Sequence, residues 1–273
     1  MTEEQKSQEV VQEENRVEDK EGLWHRYLAW RWRRKELAKE RRRQKGPLRD
    51  WVETIIQVLL IVGVIRVAVV EAYRIPTGSM EKTLLVGDFL LVNKFVYGIR
   101  TPDWIGIPFT DIGFKMPYTR LPKIKEPKQG DIIVFRYPLN TRVNYIKRCV
   151  ATAGQTLEIK DKVLFVDGEE FPLPPKGQFT DPYILPADLK MRHIVPLGAG
   201  NKDNYGPVMV PDGHLFMMGD NRDNSADSRY WGFLDEDLVL GEAAILYFSW
   251  NKKAPFSRFW AKIRWTRLFN IIR

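Results

Sequence analysis

The apolar positions of this chain change rhythm once, and the change divides it. From Thr54 to Val70 the run TIIQVLLIVGVIRVAVV is nearly continuous, 17 residues broken only by Gln57 and Arg66. Such a run predicts a helix that is apolar all round. At 1.5 Å per residue it reaches roughly 26 Å, a little less than the ~30 Å of a hydrocarbon core. Trp51 and Tyr73 bracket it as interfacial anchors, and Arg66 stands close enough to the far end for its side chain to snorkel to the interface. The expectation is one transmembrane helix over 51–73, with a buried core helix as the alternative.

Past this segment the pattern is that of strands. GDFLLVNKFVYG (87–98) and GDIIVFRYP (130–138) each open with Gly-Asp and run into β-branched or aromatic residues. Residues 143–150 alternate with period two, VLFVDGEEF (163–171) carries an Asp-Gly hairpin signal, and AAILYFSW (243–250) closes the series. No long amphipathic helix is predicted between 80 and 250. Residues 172–211 hold eight prolines, too many for central strands. They read as an irregular excursion, and 151–213 as a small non-catalytic subdomain. The expected fold is mostly β, an antiparallel sheet or barrel-like domain over 74–273 on one N-terminal membrane helix.

Charge changes the picture by where it sits. The 273 residues carry 43 Lys+Arg against 35 Asp+Glu, a net charge of +8 that by itself suggests a nucleic-acid binder. Residues 1–22 are acidic and read as a disordered tail. Residues 23–50 hold eleven bases and three acids, with Trp24, Trp30 and Trp32 interleaved, and residues 251–273 hold seven bases and no acid. The body between is nearly neutral. A basic flank directly before an apolar run would be held in the cytoplasm, which points everything after Tyr73 outward. The mixed aromatic and basic segment PFSRFWAKIRWTRLFNIIR at the C-terminus suits a membrane surface, with a packed terminal helix or strand as the alternative. One cysteine, Cys149, excludes an internal disulfide, and three histidines without cysteine partners argue against structural zinc.

Three stretches could do chemistry. In Pro76-Thr77-Gly78-Ser79-Met80 a glycine beside a serine allows a sharp turn that exposes the hydroxyl and nearby N–H groups. In the predicted strand 143–150, Val143, Tyr145, Lys147 and Cys149 share one face. If that face is buried, the ammonium is disfavoured and Lys147 becomes a competent base near neutral pH. If a twist turns it outward, Lys147 is an ordinary solvated lysine, and periodicity alone leaves both open. The stretch GDNRDNSADSRYWG (219–232) is too polar for a strand and reads as a hydrogen-bonded loop braced by Asp–Arg pairs. A solvated turn or a calcium loop competes with that reading, though no Glu closes an EF-hand at its twelfth position.

Together these stretches resemble the type I signal peptidases of bacteria. PTGSMEKTLLVGDFLLVNKFVYG is similar to that family's nucleophile region, YIKRCVATAGQ to its lysine region and GDNRDNSADSRYWG to its signature loop. The resemblance covers most of residues 74–250. It implies an endopeptidase of the cytoplasmic membrane, single-pass with its N-terminus in the cytoplasm, that cuts secretory preproteins after Ala-x-Ala sites on the outer face. It implies a Ser79–Lys147 dyad, an oxyanion hole from the Ser79 N–H and the Thr77 hydroxyl, Ser225 orienting the lysine, and Asp227 and Arg229 bracing the loop. Many members carry serine where this chain has Thr77, which keeps the hydroxyl. Ile75, Pro76, Met80, Leu84, Tyr145 and Ile146 match the family's pocket for a small side chain. No cofactor, metal or nucleic acid is implied; contacts with membrane lipid and the translocation machinery are. Rival readings are a self-cleaving repressor-type Ser–Lys protease and a non-enzymatic, membrane-tethered β-domain that holds a translocation partner.

Overall fold

The computed structural model describes residues 24–36, 47–68, 70–101, 104–106, 113–117, 119–255, 257 and 259–272. The acidic segment 1–22 and residues 37–46 of the basic flank lie outside the described residues. The chain divides into two units, 1–62 and 63–273. The first holds a helix α1 over residues 24–36, whose Trp24, Trp30 and Trp32 are all exposed, and most of α2, Pro47–Ala68. In α2 the side chains from Ile55 to Val62 are exposed, Gln57 among them. The side chains of residues 64–70, Arg66 included, lie outside the described part. Among the described residues no helix is long and apolar enough to cross a membrane.

The second unit is built of strands: β1 Val70–Arg74, β2 Asp88–Asn93, β3 Trp104–Gly106, β4 Gly113–Lys115, β5 Ile132–Tyr137, β6 Asn140–Thr152, β7 Thr156–Lys160, β8 Val163–Val166, β9 Glu169–Glu170, β10 Tyr205–Met209, β11 His214–Met218, β12 Leu234–Asp235, β13 Val239–Ser249 and β14 Asn270–Ile271. The helix α3, Ser228–Trp231, is one turn in the signature loop, and α4, Phe259–Lys262, another near the C-terminus. The main sheet runs β1-β2-β13-β5-β6-β11-β12, with β14 added to β13, and the pairs are antiparallel.

The expected barrel-like closure does not occur. The end strands β1 and β12 do not pair, so the sheet stays open. β12 is only two residues long because the Asp235 carboxylate takes the Asp237 N–H and turns the chain into a 3-10 helix. Three register shifts in β13 bend the sheet without bringing its edges together.

The centre of the sheet is covered on both faces. On one side Ile132, Val134 and Ile146 pack with Ile75, Met80, Leu84, Leu90 and Val92. On the other Ile133, Phe135, Tyr145 and Cys149 pack with Tyr97, Met217 and Trp231. That is why β5 reads as an unbroken apolar run rather than an alternating one. β6 lies beside it, so polar residues in its second half are carried into the interior whichever face they take.

A second sheet, β10-β7-β8-β9, covers a separate apolar cluster around Leu157, Ile159, Tyr205 and Phe216. Its β8–β9 hairpin turns on Asp167 and Gly168, both at positive φ, as the Asp-Gly signal requires. Within the proline-rich stretch 172–211, residues 172–204 contain no strand of either sheet, but 205–209 form β10, against the expectation of an irregular run; β10 is an edge strand, where Pro207 is tolerated.

Candidate active site

The segment after β1 folds back tightly. Ile75 donates to the Asp88 carbonyl at 2.9 Å and accepts from Gly87 at 3.0 Å, and Met80 and Leu84 are fully buried. These anchors fix a turn whose exposed crest is Pro76-Thr77-Gly78, with Ser79 just inside it. Among the described residues the Ser79 N–H makes no backbone hydrogen bond, while its carbonyl accepts from the Asn221 N–H at 3.1 Å. The Asn221 side-chain amide donates to the Gly78 carbonyl at 3.2 Å. The serine turn is therefore pinned from behind by the signature loop.

Lys147 arrives from β6, opposite Ile133 of β5, and is 4% exposed. Its Nζ lies 2.7 Å from Ser79 Oγ and 3.1 Å from the Ile146 carbonyl oxygen, with the Tyr145 ring centroid 5.2 Å away. Burial lowers its pKa to about 8, against the opposing pull of the Asp227 and Asp220 carboxylates. Their pull is weak because each already faces a buried arginine. Of the two readings of the strand, the buried one holds.

Asp220 accepts from Arg148 Nε and Nη2, both at 2.8 Å, and from the Thr83 hydroxyl at 2.6 Å. Asp227 accepts from Arg229 Nε and Nη2, both at 2.9 Å, and from the Gly219 N–H at 3.2 Å. Burial works against the Asp227 carboxylate, but Arg229 and these hydrogen bonds keep its pKa below the usual range. Gly219 itself cannot carry a side chain. A Cβ there would stand 2.2 Å from Ser225 Oγ and 2.6 Å from the Ser79 carbonyl oxygen.

In front of the pair opens a cleft of about 640 Å³ lined by Pro76, Thr77, Ser79, Tyr145, Ile146 and Lys147, with Glu81, Val143, Asn144, Asn221, Asn224 and Ala226 around them. The structure thus brings together Ser79, Lys147, Thr77, Pro76, Tyr145 and Ile146. It does not bring Ile75, Met80 and Leu84 to the cleft wall: all three lie in the apolar core behind it. Ser225 is buried, and no hydrogen bond joins its Oγ to Lys147; the hydroxyl lies instead against the Asp227 carboxylate, whose charged form it favours. Asp227 and Arg229 form the expected pair. Among the described residues no three His, Cys, Asp or Glu side chains gather as a metal site.

Several participants had no separate signal in the sequence. Asn221 and the Arg148–Asp220 pair are held within motifs otherwise read for their neighbours. A strap from the proline-rich excursion supports the same loop: Gln178 pairs with it through its N–H to the Asp220 carbonyl and its carbonyl to the Arg222 N–H. Thr180 and Asp181 donate backbone N–H groups to Asp223, which also meets Lys162 and Lys202.

A serine and a buried lysine joined at the foot of an open cleft, on an antiparallel sheet, define a candidate serine hydrolase. Residues 48–250 match the family described as signal peptidase, peptidase S26, and the chain belongs to that family. It is 38% identical over 224 residues to a signal peptidase I of Pseudomonas fluorescens, covering 74% of this chain and 72% of the relative. It is 31% identical over 242 residues to a signal peptidase I of Aquifex aeolicus, covering 74% and 85%. A solved signal peptidase I from Enterococcus faecalis is 29% identical and covers 43% of this chain and 97% of that one, at a TM-score of 0.32. The chain is accordingly a serine endopeptidase.

Proposed function

We propose that this signal-peptide-removing endopeptidase cuts exported preproteins with Ser79 as nucleophile and Lys147 as general base. The observation that carries the reading is the 2.7 Å contact between a serine hydroxyl and a lysine amine whose pKa burial lowers to about 8, so that about half of it is neutral at pH 8. The neutral amine takes the hydroxyl proton as Ser79 Oγ adds to the scissile carbonyl. The ammonium then gives that proton to the departing amine as the C–N bond breaks. Water, deprotonated by the same lysine, hydrolyses the acyl-enzyme.

The Ser79 N–H, which has no backbone partner, and the Thr77 hydroxyl on the cleft rim are the groups available to the oxyanion. Ser225, buried over Gly219, is the hydroxyl that would orient the lysine amine, and Asp227 and Arg229 hold the loop. Pro76, Tyr145 and Ile146 wall the pocket, leaving room for a small side chain before the cut and favouring Ala-x-Ala sites. Ile75, Met80 and Leu84 set that wall's position from the core.

Membrane anchoring fits this chemistry. The exposed apolar side chains of α2 and the basic residues before it suit a cytoplasm-facing flank followed by a span, with 74–273 outside. The exposed Phe259, Trp260, Trp265 and Phe269, among seven C-terminal bases, suit contact with lipid. Residues 151–213 form the accessory part, and the translocation machinery is the partner that would deliver preproteins.

Ser79→Ala in the full chain, purified in detergent, is expected to lose at least ~10³-fold in kcat/KM on an Ala-x-Ala precursor while its thermal midpoint stays near that of the parent. Retained cutting would overturn the dyad. The pH profile carries a second expectation. Below pH 8 the neutral fraction of Lys147 falls tenfold per pH unit, so kcat/KM should climb with pH and level off above about 8. A rate independent of pH between 5 and 9 contradicts a lysine base.

A further inference from the structure

We infer that Glu81 is a specificity-determining residue that selects for the charge of the substrate side chains beside the cut, favouring a basic side chain and disfavouring an acidic one. The inference rests on the Ser79–Lys147 reading and concerns what the cleft does with charge next to the scissile bond.

Among the described residues, Glu81 and Lys147 are the charged residues on the cleft wall. In its working state Lys147 is neutral, so the cleft's formal charge is then that of Glu81. The Glu81 carboxylate has no ion-pair partner among the described residues and is exposed. It does not point away from the nucleophile: Oε2 lies 3.5 Å from where a Cβ on Gly78 would stand, one residue from Ser79. Lys82, the nearest cation in sequence, is carried off by a positive φ of 71° and is not part of the cleft wall.

Pro76, Tyr145 and Ile146 wall the cleft beside the nucleophile. Glu81 shares that wall, its carboxylate next to Gly78, and so meets substrate side chains close to the scissile bond. A carboxylate there attracts a lysine or arginine in that part of the substrate and repels a glutamate or aspartate. The same negative charge opposes the developing oxyanion, so a substrate cation that neutralises it favours the transition state. At a few ångströms in a solvent-filled cleft, each unit charge alters the rate about fivefold at low ionic strength, and salt removes most of it.

The test uses the full chain in detergent and peptides that share one Ala-x-Ala site and differ only in carrying Lys, Gln or Glu at the x position or at the first position after the cut. At low salt the parent is expected to prefer Lys over Glu by about 25-fold in kcat/KM at the position that Glu81 faces, and high salt should shrink the ratio. Glu81→Gln should bring the ratio to within about twofold of unity, and Glu81→Lys should invert it. Equal rates for the three peptides, or an unchanged ratio in either variant, would overturn the inference while leaving the dyad intact. Failure of the parent to cut any of them would sink the Ser79–Lys147 reading and this inference with it.

Discussion

Replacing Lys147 by methionine is expected to reduce cleavage by ~10³-fold or more and, at the same time, to make the protein more stable at neutral pH. Both effects come from the same burial. A lysine whose pKa falls from 10.5 in the unfolded chain to about 8 in the folded one binds its proton more weakly when folded. Below the folded value the folded protein carries the full penalty of a buried ammonium, on the order of 3 kcal/mol. Between pH 8 and 10.5 the unfolded chain holds the proton and the folded one does not, so stability of the parent rises with pH across that window. Methionine has nearly the same shape, no charge and no pH term. The variant should therefore exceed the parent by about 2–3 kcal/mol at pH 7, less at pH 9, and little above 10.5. Chemical denaturation at those pH values, with the cleavage assay alongside, checks it. A variant less stable than the parent at pH 7, or a gap constant with pH, would show that Lys147 is not buried as described.

The second large effect lies in the loop. Asp227→Ala should cost about 3–5 kcal/mol, because it leaves the Arg229 guanidinium, 2% exposed, without its carboxylate. The Gly219 N–H and the first turn of α3 lose their acceptor as well. Much of that loss belongs to the uncompensated cation rather than to the pair. The double variant Asp227→Ala, Arg229→Met is therefore expected to recover a substantial part of it, and urea midpoints of the three proteins measure the recovery. Asp227→Asn separates structure from electrostatics. It keeps a hydrogen-bond acceptor but removes a charge that raises the Lys147 pKa, so the rising limb of the activity profile should move to lower pH in whatever fraction stays folded.

The strands were legible because their signals are local. The Gly-Asp openings, the apolar run of β5 and the Asp-Gly turn between β8 and β9 each depend on a few adjacent residues and backbone preferences. The stretches that hold Ser79 and Lys147 stood out through motifs that span only a few positions, and the two side chains meet at 2.7 Å. The pocket was half legible: Pro76, Tyr145 and Ile146 line the cleft, whereas Ile75, Met80 and Leu84 support it from the core. An apolar side chain looks the same in sequence whether it forms a wall or packs behind one. Ser225 lies buried over Gly219, and the partner its hydroxyl takes is a matter of rotamer and loop path that no spacing encodes.

By itself the sequence determined which side chains are able to bear chemistry and which segments extend, because hydroxyls, amines and β-branched runs carry their properties wherever they stand. Only the tertiary structure decided that Lys147 meets Ser79 across 68 residues, that Thr83 reaches Asp220 across 137, and that an excursion rich in proline braces the loop behind the serine. It also left the sheet open where closure was expected. A pKa near 8 is a property of burial, and burial is made by every element that covers both faces of β6, so it exists only once the chain has packed.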